Sequence, residues 1–251
     1  MKNVKPGHDR PVVCLNAGHS GKVNRSNVVP QYFESEMTWK LHNFLAEALE
    51  KQGMEVRKTR AKQEMGMNLY ARGQAAKGCD LWLSIHSNAC DTESVDRPVV
   101  IHMVSDDRTF IDEQSRELAD LLGQTIYETM QTKGKPQVWS RKSEKDVDGD
   151  GVLNDEWYAE LRGAHNAGVP GLILEHSFHT NTRMANWLLQ EENLQKLAKA
   201  EAETLAKWFG LEKKTIYRVQ VGAFDRRENA LNMKNKLKEA GFEGFITEVA
   251  V

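Results

Sequence analysis

Two histidines of the sequence stand where short apolar runs end among small polar residues. His19 lies in Asn-Ala-Gly-His-Ser-Gly after the apolar run 12–15, and His86 lies in Ser-Ile-His-Ser-Asn after a second apolar run. Such runs are typical of strands buried on both faces, and ligands bind at the carboxyl ends of such strands in open α/β sheets. A lone histidine there can reach a metal ion, but it can equally be a packing residue of the loop. Its role depends on the partners that the rest of the chain supplies.

Two glutamates lie where a carboxylate can join these histidines. Glu34 opens a segment whose apolar residues recur at helical spacing, and at about 100° per residue it shares a face with Met37 and Leu41. Glu36 falls on the opposite, polar face. Glu175 stands inside an apolar strand, where an unpaired carboxylate is costly to bury. Glu34 can also be an acid favoured by the dipole at a helix N-terminus, and that interpretation stays open here.

Together these residues suggest metal-assisted hydrolysis. Two histidines and one glutamate from different elements form the ligand set of a catalytic zinc, which keeps a fourth position for water. Parallel strands joined by helices place their carboxyl ends at one edge of the sheet, so His19, Glu34 and His86 can converge there. Glu175 would then serve as the general base and acid. The sequence contains no nucleophile-elbow serine and no glycine-rich phosphate loop, which argues against acyl-enzyme and nucleotide chemistry.

Four further polar side chains lie near the same strand ends, and we expect them to support the site or face the substrate. They are Asn16, Asn88, His176 and His179. His176 and His179 share the turn that follows Glu175, so either can also compete as a metal ligand.

An acidic loop lies within the long polar connection 134–156. In the calcium-loop pattern, its carboxylates fall at positions 1, 3 and 5, its glycine at 6 and its asparagine at 9. The predicted calcium ligands are Asp146, Asp148, Asp150 and Asn154. Position 12 is Trp157, so Glu156 or Glu160 would have to replace the usual acid. The alternative is a solvated acidic turn.

Strand and helix patterns alternate along the chain and predict an α/β fold with a mixed, mostly parallel sheet flanked by helices. We expect a tail at 1–10, a catalytic domain at 11–210, a linker at 211–215 and a βαβ module at 216–251. The main helices are predicted at 33–52, 68–77, 112–132, 184–209 and 227–240. The C-terminal module, with strands at 216–222 and 242–251, is too small to bury a core alone, so it should need a partner copy or the catalytic domain.

Composition limits the partners of the protein. The net charge of −2, from 34 basic and 36 acidic residues, favours neither nucleic acid nor an anionic membrane. The cysteines Cys14, Cys79 and Cys90 form no disulfide framework. No segment approaches the roughly 20 apolar residues of a membrane span, and the first residues lack the apolar core of a signal peptide. We therefore expect no membrane insertion, and either release by another route or a leader missing from this sequence.

Four motifs, in this order, resemble those of the zinc-dependent N-acetylmuramoyl-L-alanine amidases of the Amidase_3 type. They are Asn-Ala-Gly-His-Ser-Gly, Glu34 ahead of its helix, Ser-Ile-His-Ser-Asn, and Leu-Ile-Leu-Glu-His-Ser-Phe-His-Thr-Asn. The resemblance covers residues 11–210. It implies cleavage of the amide between the lactyl group of muramic acid and L-alanine in peptidoglycan. It also implies zinc on His19, Glu34 and His86, with Glu175 as the catalytic glutamate.

The sequence departs from the family's pattern at three positions. The family commonly has aspartate where this chain has Asn16, glycine where it has Ser20, and a smaller residue at His176. These departures affect the groups that orient the metal ligands, not the ligands themselves. They can also change which stem peptide the protein prefers.

The tail Tyr-Arg-Val-Gln-Val-Gly-Ala-Phe resembles the opening of a SPOR repeat, which binds glycan strands stripped of stem peptides. About half of such a domain is present, so binding to glycan and homodimerisation through this module are both open. For the whole chain we expect action on the bacterial cell wall, as a lysin or as an autolysin of sporulation or division. The alternatives are a zinc peptidase that cuts within the stem peptide and an inactive wall-binding protein.

Overall fold

The computed structural model describes residues 8–104, 109–147, 149, 151–153, 155–211 and 219–248. Strands and helices alternate along most of this length. In chain order, the elements are β1 (Val12–Ala17), α1 (Glu34–Lys51), β2 (Glu55–Lys58), α2 (Leu69–Gln74), β3 (Leu81–Asn88), β4 (Val99–His102), α3 (Thr109–Met130), β5 (Gln137–Trp139), α4 (Ala159–Asn166), β6 (Gly171–Phe178), α5 (Thr182–Leu189), α6 (Glu191–Trp208) and α7 (Arg227–Glu239).

The strands form one six-stranded sheet in the order β2-β1-β3-β6-β4-β5. Every neighbouring pair is parallel except β4 and β6, which confirms the predicted mixed, mostly parallel sheet. In this register Asn16 pairs with Ser84, and His86 pairs with Glu175. The carboxyl ends of β1, β3 and β6 therefore lie side by side at the centre of the sheet.

Helices cover both faces of the sheet and fix which way each strand residue projects. On one face α1, α3 and α6 pack over a cluster that includes Leu83 and Leu174, both fully buried. On the other face α4 packs over a second cluster that includes Trp82 and Ile173. Burial of each large apolar side chain stabilises the fold by roughly 1.5–3 kcal/mol. This burial fixes which residues of each strand face which side of the sheet. The polar residues that alternate with Leu83, among them His86, consequently project to the α4 face.

Before residue 211, two predicted segments contain other elements than expected. The single helix expected at 184–209 is two helices, because Gln190 has an extended backbone with φ −83° and ψ 118°. The side chain of Asn181 caps α5 by accepting the N–H of Met184 at 3.0 Å. The connection 134–156 contains the three-residue edge strand β5, which pairs with β4. A strand this short gives almost no periodic signal, so the sequence did not reveal it.

Residues Lys213–Val251 form a second compact unit, separate from Met1–Glu212. Its helix α7 matches the helix predicted at 227–240 and buries none of its side chains. Residues 219–222 and 242–248, predicted as strands, form no strand, while 216–218 and 249–251 lie outside the described residues. Within 219–248 there is no other strand to pair with and no buried side chain, so nothing in this described part of the unit stabilises such strands.

No helix in the described part of the chain is both long and apolar enough to cross a membrane.

Candidate metal centre and active site

His19 lies in a tight turn directly after β1. Its backbone has φ 59°, in the left-handed region that few residues other than glycine adopt. The guanidinium of Arg60 donates to the carbonyls of both Gly18 and His19 and holds this turn. A Cβ at Gly18 would lie 2.4 Å from the ring of His86. Glycine at this position therefore lets the turn approach His86 closely.

Glu34 begins α1 with its side chain inward, as the helical phase predicts. Its side chain is 3% exposed, whereas that of Glu36 is 38% exposed and pairs with Lys22 at 3.2 Å. The N–H of Glu34 is satisfied by the carbonyl of Asn24 at 2.9 Å, and the amide of Asn24 donates to Glu34 Oε2 at 2.8 Å. Sequence analysis missed Asn24, because a polar loop residue gives no signal of the contact it will make.

His19, Glu34 and His86 converge, as the topology predicts. Glu34 Oε1 lies 3.2 Å from His19 Nε2 and 3.0 Å from His86 Nδ1, and one ligand atom from each residue lies within 4.8 Å of the others. Burial opposes ionisation of Glu34, but hydrogen bonds from His19 and His86 outweigh it and lower its pKa. Two imidazole nitrogens and one ionised carboxylate form a set of ligands that suits zinc. These residues therefore fit the metal that the family resemblance implies.

Glu175 lies beside His86 in the β3–β6 register and projects toward the same face of the sheet. Its Oε2 is buried and has no hydrogen-bond partner among the described residues. Burial raises the pKa of Glu175 to about 7, although the nearby His86 lowers it in part. A carboxyl group with a pKa near neutrality is well suited to accept and release protons. In the described part of the chain, Oε2 of Glu175 is thus a buried carboxylate oxygen with no hydrogen bond of its own.

Asn16 belongs to a buried polar network behind His86. Its Nδ2 donates to Ser84 Oγ at 2.8 Å, and its Oδ1 accepts from Thr59 Oγ1 at 2.9 Å. Ser84 Oγ also lies 3.1 Å from His86 Nε2. Asn16 therefore supports a candidate metal ligand through one intermediate hydroxyl.

Glu160, at the start of α4, joins the same network and was not predicted there. Its Oε2 accepts from Ser84 Oγ at 2.8 Å and lies 3.8 Å from His86 Nε2, and its Oε1 pairs with Arg72 at 3.0 Å. Its pKa is lowered, because contacts with His86, Arg72 and Ser84 outweigh the burial that would raise it. The sequence alternative that placed Glu160 on the calcium loop is therefore wrong.

His176 projects to the opposite face of the sheet from Glu175. Its ring is 0% exposed, and its Nε2 lies 2.7 Å from Oε1 of Glu201 on α6. Its Nδ1 lies 3.0 Å from the carbonyl of His86. The substrate-facing and metal-ligand alternatives for His176 are wrong, since full burial on the α6 side separates it from the other site residues. What remains is a supporting contact with the backbone of His86.

His179 and Asn88 contact the end of β3 rather than the candidate ligand atoms. His179 is buried, stacks on Tyr32 with ring centroids 5.6 Å apart, and has its Nδ1 2.9 Å from Ser87 Oγ. The N–H of Ser87 in turn donates to Glu34 Oε1 at 3.1 Å. Asn88 uses its side chain locally, accepting the N–H of the next residue at 2.8 Å. Neither residue belongs to the cluster of candidate metal ligands in the described part of the chain.

The predicted calcium loop is only partly within the described residues. The carboxylate of Asp146 accepts the N–H groups of Gly149 and Gly151 at 2.6 and 2.9 Å. Asp148, Asp150 and Asn154 lie outside the described residues, so calcium binding at this loop stays a prediction.

Comparison of the sequence with known protein families identifies the class of protein that has this fold and this cluster of residues. Residues 13–207 match the Amidase_3 family, described as N-acetylmuramoyl-L-alanine amidase, and the chain belongs to that family. Residues 190–248 match the SPOR domain. The first part of the SPOR match is α6, which packs on the sheet of the first unit, so the second unit contains only the remainder.

Individual relatives agree with the family assignment. N-acetylmuramoyl-L-alanine amidase CwlM of Bacillus licheniformis is 29% identical over 90 residues, which are 35% of this chain and 36% of the relative. The sporulation-specific N-acetylmuramoyl-L-alanine amidase of Bacillus subtilis (strain 168) is 30% identical over 91 residues, with 35% and 36% covered. The match thus spans about a third of these curated relatives. The crystal structure of an N-acetylmuramoyl-L-alanine amidase from Clostridium difficile 630 shares the fold, with a TM-score of 0.66 at 19% identity over 81% of this chain and 98% of that one.

Proposed function

We propose that this protein is a zinc-dependent amidase that hydrolyses the bond between N-acetylmuramic acid and L-alanine of the peptidoglycan stem. The observation that carries the proposal is the convergence of His19, Glu34 and His86, with their ligand atoms within 4.8 Å of one another. Beside them lies Oε2 of Glu175, which is buried and has no hydrogen-bond partner among the residues that the structure describes. Membership of the amidase family supports the choice of the scissile bond.

Zinc held by the two histidines and Glu34 would polarise the scissile carbonyl and lower the pKa of the attacking water to about 7. The protein's own part in the chemistry then falls to Glu175. Its Oε2 takes a proton from the water as the water oxygen bonds to the lactyl carbonyl carbon, and delivers that proton to the nitrogen of L-alanine as the C–N bond breaks. The products are a muramic acid carboxylate and a stem peptide with a free amino terminus.

A digest of purified peptidoglycan tests this function. We expect turbidity to fall and new N-terminal alanine to appear, because the amide to L-alanine is cut. Treatment with a chelator should abolish the reaction, and added zinc should restore it. Other new amino termini would identify a peptidase that cuts within the stem. Binding to the wall with no digestion and no metal in the purified protein would identify an inactive wall-binding protein.

We propose further that the protein acts at the bacterial cell wall and that its second unit contacts glycan strands or a second copy of the chain. The SPOR match supports the first contact. Exposed apolar side chains support the second, since Val219, Phe242 and Phe245 are each more than half exposed. If the unit pairs with itself, light scattering should give twice the monomer mass of 28.5 kDa, and replacement of Phe242 and Phe245 by serine should return the monomer. A monomer for the unaltered chain would contradict homodimerisation.

A further inference from the structure

We propose that Glu160 is a positioning residue for the metal centre: through Ser84 it keeps a proton on Nε2 of His86, so that His86 offers Nδ1 to the metal. This inference deepens the proposed function and rests on it. It concerns the buried network of Asn16, Ser84, Glu160 and Arg72 that the mechanism above does not use.

The single proton of the Ser84 hydroxyl limits the directions of the three hydrogen bonds that this hydroxyl makes. A serine hydroxyl has one proton to donate and two lone pairs to accept. Ser84 Oγ has three neighbours: Glu160 Oε2 at 2.8 Å, Asn16 Nδ2 at 2.8 Å and His86 Nε2 at 3.1 Å. An ionised carboxylate only accepts, so the proton of Ser84 goes to Glu160. Asn16 and His86 must then both donate, which places a proton on Nε2 of His86.

The orientation of Asn16 agrees with this assignment. Its Oδ1 accepts the hydroxyl of Thr59 at 2.9 Å, which leaves Nδ2 facing Ser84. The reversed amide would place an acceptor against a hydroxyl whose only proton is already directed at Glu160. Asparagine at this position is thus consistent with a network whose negative charge comes from Glu160.

Close helix packing holds Glu160 in place. Arg72 Nη1 pairs with Glu160 Oε1 at 3.0 Å, with both side chains below 10% exposure, so the carboxylate is ionised and compensated. A Cβ at Gly73 of α2 would lie 2.0 Å from the carbonyl of Glu160, and one at Gly163 of α4 would lie 2.2 Å from the carbonyl of Tyr70. The two helices therefore cross at glycines, which lets α4 bring its first turn close to β3.

His86 has a second ring nitrogen, Nδ1, on the side of Glu34. In this structure Nδ1 donates to Glu34 Oε1 at 3.0 Å, within the cluster of candidate ligands. Because Ser84 keeps the proton on Nε2, Nδ1 is the nitrogen that would give up its proton and offer a lone pair to a metal ion. A hydrogen bond from the far side of a ligand histidine fixes its tautomer and ring orientation. Loss of such a partner typically weakens metal binding about 10- to 100-fold.

The first test is the zinc affinity of the metal-free full-length chain, measured by competition with a chromophoric chelator. In Glu160→Gln, Arg72 should capture the amide oxygen, so that the amide N–H group donates to Ser84. The proton of Ser84 then turns to Nε2 of His86, and the tautomer reverses. We expect zinc affinity to fall about 10- to 100-fold. Glu156→Gln is the matched control: it neutralises another buried glutamate, whose Oε1 accepts the N–H of Val104, and should leave zinc affinity unchanged.

The double variant Asn16→Asp/Glu160→Gln distinguishes positioning from general structural damage. A carboxylate at residue 16 would accept the proton of Ser84, so that Nε2 of His86 donates again and zinc affinity recovers toward that of the unaltered chain. Histidine ¹⁵N spectra of the zinc-loaded protein should show a proton on Nε2 of His86 and none on Nδ1. This spectrum tests the tautomer without any variant.

The outcomes separate the two proposals. If the unaltered chain binds no zinc, the proposed metal centre is wrong and this inference falls with it. If the chain binds zinc but Glu160→Gln keeps its full affinity, if the double variant shows no recovery, or if Nε2 of His86 proves to be the coordinating atom, the role of Glu160 is overturned while the proposed function stands.

Discussion

Replacing Glu175 with glutamine should reduce peptidoglycan hydrolysis about 10²–10⁴-fold while the zinc content of the purified protein stays unchanged, because the variant lacks only the group that carries the proton. Glutamine has nearly the same size and keeps the contacts of the side chain, yet it cannot take a proton from water. Release of N-terminal alanine and zinc analysis on the same preparations measure both effects. A variant that loses zinc would make Glu175 a ligand, and a fully active variant would exclude its proposed role.

The stability of the metal-free Glu175→Gln protein provides the control for folding. Because burial raises the pKa of Glu175 from 4.5 to about 7, the folded state binds this proton more tightly than the unfolded state does. The unaltered chain therefore loses stability from this group as pH rises from about 4.5 to 7, and the full cost is present above pH 7. Glutamine does not titrate, so the metal-free variant should unfold at no lower temperature than the unaltered chain at pH 8. If the variant unfolds at a lower temperature, its loss of activity is explained by misfolding and not by the missing proton carrier.

Replacing Glu34 with alanine should remove both zinc and activity. Loss of a partner that only orients a ligand already costs about 10- to 100-fold in metal affinity, so loss of a ligand should cost more than 100-fold. The chelator competition described for Glu160 measures this affinity, and the peptidoglycan digest measures the activity.

Glu36→Ala is the matched control for Glu34→Ala. Both glutamates lie in the first turn of α1, so each variant removes a similar favourable interaction with the helix dipole. Only Glu34 contacts the two histidines, whereas Glu36 pairs with Lys22 at the surface. Glu36→Ala should therefore retain zinc and activity. Zinc loss in Glu36→Ala with retention in Glu34→Ala would reverse the assignment.

Local patterns were enough to find the residues that gather at the sheet edge. The apolar runs before His19 and His86 predicted buried strands, and helical phase separated Glu34 from Glu36. These inferences succeed because period and burial are properties of a single strand or helix. Glu175 stood out for the same reason, since a carboxylate in an apolar strand conflicts with its immediate surroundings.

The contacts between elements needed the tertiary structure. The sequence offered Glu160 only as one of two substitutes for the last calcium ligand, yet α4 carries it to Ser84, 76 residues away in the chain. It left open whether His176 supports the site or faces the substrate, and the pairing of β6 with β3 decides against the substrate by directing that ring toward α6. The sequence by itself determined the fold class and which side chains turn inward, because both follow from periodicity. Only the packing of α2 against α4 and the insertion of β6 between β3 and β4 decided which polar groups meet, because such partners lie far apart in sequence and leave no periodic signal.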